Sequence, residues 1–559
     1  MLNTNDGEVN ALLGNVSSYS QYNNSTTFNV TYWNAEFYLQ DNWKVTRRLT
    51  LDIGVRFYHQ TPQEDHNNTF VNFNPSLYSK AAMPRIYVPA CTNGVTCTSS
   101  TGLVAKDPAT GATASSGFIG DFVPNTGDPT SGLQVLGVNG VPLAPYHLAP
   151  LAVGPRLGFA YDLFGNGTTA LRGGAGMFYN RLDGNQYYGL SGQAPTTYQQ
   201  TVNNVTFAQI STIDGGAPPS LSSLSIAPIS PTAYPKNVPW DKVINASIDI
   251  QHTFGSNIVA SIGYNMNYSF DQHLTYDANP IPIGTGWPFT ASNLNPTTTG
   301  STSADVGSIF ERTAFPGYGS ITENAFWGHA NYNALTTTLQ KRYSHGLVLG
   351  VAYTFSRAMG LTSYTPGIPN NEEWNYGRLS TDRRSNLQFN YSYDLPNLGK
   401  KLGVKPLGLV TDHWVFSGIF SIISGSPFNP GCSLTSGAAG VSGGYTGTPD
   451  IGQRCEVIGN PLANIPAGTY FNPNAYAMAA LATGPDNSLV GPPALGNQGG
   501  GAGALTYPHV TNLDLTLTKN IPLGSEKRLL KLQAQAYNAL NHPEFNGMNT
   551  CLLYTSRCV

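Results

Sequence analysis

Between Leu49 and Tyr58 apolar and polar residues alternate. Leu49, Leu51, Ile53, Val55 and Phe57 fall on one side, and Thr50, Asp52, Gly54, Arg56 and Tyr58 on the other. Successive residues of an extended chain point to opposite faces, so this is a strand with one apolar and one polar face. The preceding segment repeats the pattern, with Phe37, Leu39 and Trp43 against Glu36, Tyr38, Gln40 and Asn42. The link, Lys44 to Arg48, is short and polar, which predicts an antiparallel hairpin over 34–60.

The pattern returns five times. A second hairpin is predicted over about 156–179 around Gly165-Asn166-Gly167, Asn-Gly being a strong turn signal. A third spans about 243–268 around Gly255-Ser256, and a fourth about 333–357 around Ser344-His345-Gly346. A fifth pairs about 384–395 with 413–424, and the last covers about 511–538. Residues 1–30 read as loop. Links within hairpins are mostly a few residues, whereas those between hairpins run from about 25 to nearly 100. Long irregular loops count against a compact soluble domain. An outer-membrane barrel has short turns on the periplasmic side and long loops outside. The apolar faces would then meet lipid and the polar faces a lumen. Backbone groups in lipid must all be paired, so such strands need a closed barrel.

Composition agrees. Of 559 residues only 11% are charged, against roughly 25% in soluble proteins, and 11% are aromatic, with 31 Tyr and 24 Phe. A net charge of −3 implies no nucleic-acid partner. No apolar run reaches the roughly 18 residues of a spanning helix. The most apolar stretch, Leu407 to Gly425, is interrupted by Asp412 and His413. Cys91 with Cys97, and Cys432 with Cys455, are candidate disulfides in loop sequence, while Cys551 and Cys558 lie at the C-terminus.

The segments AEFYLQDNWKVTRRLTLDIGVRFY, PRLGFAYDLFGNGTTALRGGAGMFYNR, NYNALTTTLQKRYSHGLVLGVAYTFSRA, STDRRSNLQFNYSYDLP and LKLQAQAYNALNHPEFNG resemble the barrel of TonB-dependent transporters, in their Oar-like branch. The resemblance spans about 34–547. It implies an all-β, antiparallel transmembrane outer-membrane β-barrel with long extracellular loops, of which this chain supplies about 12 of about 22 strands. On that reading 1–550 are a partial barrel domain, with plug and regulatory-like N-terminal domains absent, and 551–559 are a non-native tail. The implied partners are outer-membrane lipid, an extracellular ligand and the TonB complex through the missing N-terminal part. The implied function is energised uptake of a bulky solute. An adhesion or structural barrel, or a soluble secreted carbohydrate-binding β-protein, are the alternatives.

Chemistry-bearing motifs are few. Gly440-Val441-Ser442-Gly443-Gly444 matches the GxSxG nucleophile elbow but lacks the strand and helix that the elbow requires. The glycines near 496–503 lack the Lys-Ser/Thr of a phosphate loop. The ten histidines show no metal-ligand spacing, so neither metal nor cofactor nor enzymatic activity is expected. By alternation Asp52, Arg56, Asp162, Arg172, Asp249 and Arg342 are the lumen-facing charges, expected to grip a plug more than a substrate. Asp382-Arg383-Arg384, at a strand entry, reads as a structural ion-pair network or interfacial anchor, with a charged lumen or rim contact as the alternative. Trp43, Tyr179, Tyr268 and Trp414 are candidates for the interfacial aromatic girdle.

Overall fold

A computed structural model of the chain describes residues 6–22, 24, 26–92, 102–115, 118–207, 227–283, 308–368, 371–432, 448, 450–452, 454–477, 495–523, 528–544 and 551–552. Twelve strands form one continuous antiparallel sheet in chain order. They are β1 (Asn34–Lys44), β2 (Leu49–Gln60), β3 (Ala152–Asp162), β4 (Thr169–Asn180), β5 (Asp241–Phe254), β6 (Ile258–Asp277), β7 (Thr322–Ser344), β8 (Leu347–Leu361), β9 (Ser385–Asp394), β10 (Trp414–Ile423), β11 (Val510–Pro522) and β12 (Leu529–Ala536). Each sequence-predicted hairpin is present. The wall is open: β1 and β12 each pair on one side only, and both are exposed along their length.

Residues directly opposite in an antiparallel pair share a face, so the register decides whether the apolar faces join. They do. Leu39 lies opposite Val55, Ile53 opposite Leu157, and Leu171 opposite Ile250. Across the sheet Ile262 follows Ile250, Leu335 faces Phe355, Val351 faces Phe389, and Phe389 faces Phe420. The other face is mainly polar, as in Ser247 opposite Asn265, Thr336 opposite Thr354, and Ser417 opposite Thr516, with a few apolar residues such as Phe178 and Ile419 among them. The apolar face is uncovered by protein; Leu157, Ile248 and Ile262 are all exposed. No helix among the described residues is long and apolar enough to cross a membrane.

Strands β6 and β7 run far past the others, with 20 and 23 residues, where about ten suffice to cross a bilayer. The sequence pattern ends at Tyr268 because a bulge between Ser269 and His273 breaks the pairing, with Asp271 at φ 54°. Beyond it both faces meet protein, so alternation disappears from 322–332 as well.

Most of the hydrophobic core lies outside the sheet, which adds only residues near its loop-side end such as Tyr58, Ala152 and Phe326. The fully buried large side chains, Tyr187, Tyr318, Phe70, Phe73, Leu190, Ile281 and Ile321 among them, all lie in the long connections. These connections form a layer at one end of the wall with its own short strands. Val71–Phe73 pairs with Leu133–Val135, and Asn15–Tyr22 pairs with Gln199–Thr206. The N-terminal region, expected as loop, thus carries an eight-residue strand and a helix, Gly7–Leu12, capped by the Asp6 side chain. A strand whose partner is far away in sequence has no local turn to announce it.

Asp65 ties this layer together. It is fully buried and accepts from Asn29 N (2.8 Å), Asn67 N (3.2 Å), Thr69 N (2.8 Å) and Thr69 Oγ1 (2.7 Å). Burial raises its pKa, but the donors outweigh burial and the net shift is downward. A carboxylate with a depressed folded pKa contributes stability above its unfolded pKa, and that stability is lost as pH falls through the folded value. Amide exchange in 26–31 and 63–70 should therefore accelerate as pH drops below about 4, after correction for intrinsic rates. An Asp65→Asn variant should remove that dependence.

Candidate functional site: the polar face and its loop layer

Charge on the polar face is concentrated in β1–β5. Arg56 Nε donates to Glu36 Oε2 at 2.6 Å, and the same pair forms an ion pair through Nη2. Asp52 accepts from the Asn42 side-chain amide. Arg172 and Asp249 lie directly opposite each other on β4 and β5. By contrast the polar face from β6 to β10 carries neutral groups such as Asn265 opposite Ser247, Thr338 opposite Ser261, and Gln388 opposite Ser421.

Arg156 joins these groups, and sequence reasoning missed it. It opposes Gly54 on β2 and Gly176 on β4. Its guanidinium lies 4.6 Å from the Phe178 ring centroid, Nη2 donates to Tyr58 Oη at 3.3 Å, and the buried Nε has no protein partner. Small neighbours make the room: a Cβ on Gly154 would stand 3.0 Å from the Tyr58 ring, and one on Gly176 3.1 Å from Phe178. Two concavities meet at Arg156. One, about 410 Å³, is lined by Asp52, Arg56 and Gln40; the other, about 490 Å³, by Asn245, Asn265, Asn267 and Tyr332. Arg156 is the first residue of the predicted second hairpin, one step back from Leu157 on the polar side of the alternation.

The remaining predicted charges stand elsewhere. Asp162 caps the β3–β4 turn, accepting from Gly165 N (2.9 Å) and Gly167 N (2.8 Å). Arg342 lies in the irregular end of β7, exposed, with its backbone N–H on Asn257 O. Asp382 is buried, accepts from Arg378 Nε at 2.7 Å and Ala358 N at 2.7 Å, and ties β8 to the loop layer. Of the aromatic candidates, Trp43 and Trp414 stand at the short-turn end, and Tyr268 packs on Phe270 at 4.5 Å. Tyr179 lies ten residues along β4 from Thr169. At ~3.3 Å per residue and a tilt near 40°, that spans about 25 Å, the height of a barrel's apolar band. There it meets Tyr58 (5.3 Å) and Trp240 (5.7 Å) edge-on.

Above the wall the loop layer is cross-linked. Cys432 and Cys455 are joined by a disulfide; Cys91 is disulfide-bonded, and Cys97 lies outside the described residues. The side chain of Asp107 is held below the usual carboxylate range by Arg85, which donates to it through Nε and Nη2, both at 2.8 Å. Arg312 lies between Asp277 (2.9 Å) and Asp450 (3.1 Å). Burial pushes Arg454 down to about 10, where its guanidinium stacks 4.1 Å from the Trp374 centroid. Tyr187 and Tyr234 stack at 5.3 Å, and burial raises both phenols. Among the described residues no group of three His, Cys, Asp or Glu side chains could hold a metal. The Gly440–Gly444 motif lies outside them, as do residues 553–559, while Cys551–Leu552 pairs in parallel with Gly431–Cys432.

An outer membrane beta barrel domain model matches residues 3–556. The chain belongs to that family. Its apolar face is accordingly the lipid face of a Gram-negative outer-membrane β-barrel, and its polar face the inner one. No curated protein matches the sequence. Among solved structures the barrel is similar to the copper transporter OprC, with 9% identity and a TM-score of 0.35 over 92% of this chain and 43% of that one. It is also similar to the ferric enterobactin receptor PfeA from Pseudomonas aeruginosa, with 11% identity and a TM-score of 0.36 over 92% and 48%. For the siderophore receptor PiuA from Acinetobacter baumannii the values are 8%, 0.39, 92% and 40%. The chain spans less than half the length of each of these three proteins.

Proposed function

We propose that this chain is the barrel part of a TonB-dependent receptor of the Oar-like branch, which takes up a bulky solute too large for passive pores. The observation that carries the reading is the division of the polar face. A charged sector on β1–β5, centred on Arg156, Arg56 and Asp52, faces inward beneath a built loop layer. Charges so placed on an inner wall grip a plug domain through ion pairs and hold the lumen shut until TonB pulls on it. The loop layer captures the ligand from outside. The protein performs no covalent chemistry. The two open edges, whose unpaired N–H and C=O groups lipid cannot satisfy, are closed in this reading by further strands of the same barrel.

Uptake by a strain carrying the full gene tests this against a deletion strain, each with and without functional TonB. Growth on one of a panel of metal chelates, glycans and peptides should require both the gene and TonB. Adhesion to a surface that depends on the gene but not on TonB, with no such growth difference, would favour an adhesion barrel instead.

A further inference from the structure

The fifth hairpin turn carries a device that the barrel reading does not use. Residues 395–413 form two short helices, α1 (Leu398–Leu402) and α2 (Lys405–Thr411), joined at Gly403 with φ 72°. They cross where a Cβ on Gly399 would stand 2.2 Å from Gly408, so only glycine fits. The buried Asp412 carboxylate accepts from Gly399 N (2.8 Å), Lys400 N (2.9 Å) and Thr411 Oγ1 (3.1 Å). The turn is therefore a fixed shape.

Its position is set by two side chains of the lipid face. Trp414 and Lys519 lie opposite each other, and Lys519 opposite Leu532, in the register of the apolar face. Trp414 Nε1 donates to Val410 O at 2.6 Å, and Lys519 Nζ to Val410 O at 3.3 Å and to Asp412 O. The helix pair is thus fastened to the lipid side of the wall, at the short-turn end. What it presents there is mixed. Leu402, Leu409 and Val410 are 66%, 76% and 68% exposed. Lys400, Lys401 and Lys405 are exposed beside them, and the one carboxylate of the turn is already used. A concavity of about 530 Å³ lies between this pair and the foot of β11, lined by Lys400, Lys405, Leu409, Lys519 and Pro522.

We propose that the helical turn 398–411 is a membrane-binding foot that seats on anionic phospholipid headgroups of the periplasmic leaflet. Leu402, Leu409 and Val410 enter the acyl boundary, and Lys400, Lys401 and Lys405 meet the phosphates. Two observations select lipid as the occupant. The patch is continuous with the lipid face through Trp414 and Lys519, and its free charge is wholly positive. Interfacial helices bind through this combination of buried apolar area and attraction to anionic lipid. The inference needs the membrane location and no transported solute, so its failure would leave the uptake reading standing.

The full-length protein is reconstituted in bilayers of phosphatidylcholine alone, or with one quarter phosphatidylglycerol, and amide exchange is followed over 398–411. Exchange should be at least about tenfold slower in the anionic bilayer, given three lysines near a charged surface. A K400E/K401E/K405E variant should lose that difference, and Leu409→Ser should speed exchange in both bilayers; heat-modifiable gel migration checks that each variant is folded. Equal protection in the two bilayers would overturn the anionic headgroup, and no protection in either would overturn the foot. Protection of detergent-solubilised protein by inorganic phosphate alone would also overturn it, since a soluble anion would then be the occupant.

Discussion

Replacing Arg312 by methionine should weaken the loop layer by about 2–3 kcal/mol, because two half-buried carboxylates and the Asn279 carbonyl lose their charged donor. Arg312 is 7% exposed and pairs with Asp277 at the outer end of β6 and Asp450 from the last long loop. It also donates to Asn279 O. Asn279 is itself a hub, with its amide on Phe315 O (3.1 Å), Tyr318 O (3.0 Å) and Gly319 O (2.9 Å). Asp450 meanwhile accepts from Ile281 N at 2.8 Å. Methionine fills much of the arginine volume, so the loss is electrostatic more than a matter of packing. Amide exchange should rise by about one to two orders of magnitude in 308–322 and 448–460, while β9 and β10 stay protected. Exchange unchanged in these loops would mean that they are held by something other than this cluster.

Ile248→Arg should destabilise the barrel in a bilayer by about 2–4 kcal/mol, the cost of a cation on the lipid face near the midplane. Ser247→Arg, one residue away, should change it by no more than about 0.5 kcal/mol. Ile248 lies opposite Gly173 and Tyr264, on the apolar face near the middle of the spanning part of β5. Ser247 lies opposite Gly174 and Asn265, on the polar face, with space around it in the larger of the two concavities that meet at Arg156. Urea unfolding of the full-length protein in lipid vesicles measures both. Equal costs at the two positions would show that the faces are not divided between lipid and lumen.

The wall was legible because lipid on one side and a polar space on the other write themselves into every second residue. Where that contrast stops, so does the signal. The third hairpin reads cleanly to Tyr268 and no further, because the Ser269–His273 bulge lifts β6 out of the band. The loop core was not legible, since Phe70, Tyr187 and Tyr318 sit in Gly- and Pro-rich sequence without period and meet only in three dimensions. The helices at 398–411 were hidden for another reason: each is too short to show a helical repeat, and their apolar residues merge with those of β10. At the polar face, alternation placed Asp52, Arg56, Arg172 and Asp249 together. It could not tell that Asp162 is spent on a turn, since its pairing with Gly165 and Gly167 depends on backbone shape.

Spin labels placed singly at Ile248, Asp249, Ile250 and Gln251 of the full-length protein in a bilayer test the alternating wall most directly. Labels at Ile248 and Ile250 should relax fast with oxygen and slowly with a water-soluble nickel chelate, and those at Asp249 and Gln251 should do the reverse. Equal access of the nickel chelate to all four positions would contradict a strand set between lipid and a polar lumen.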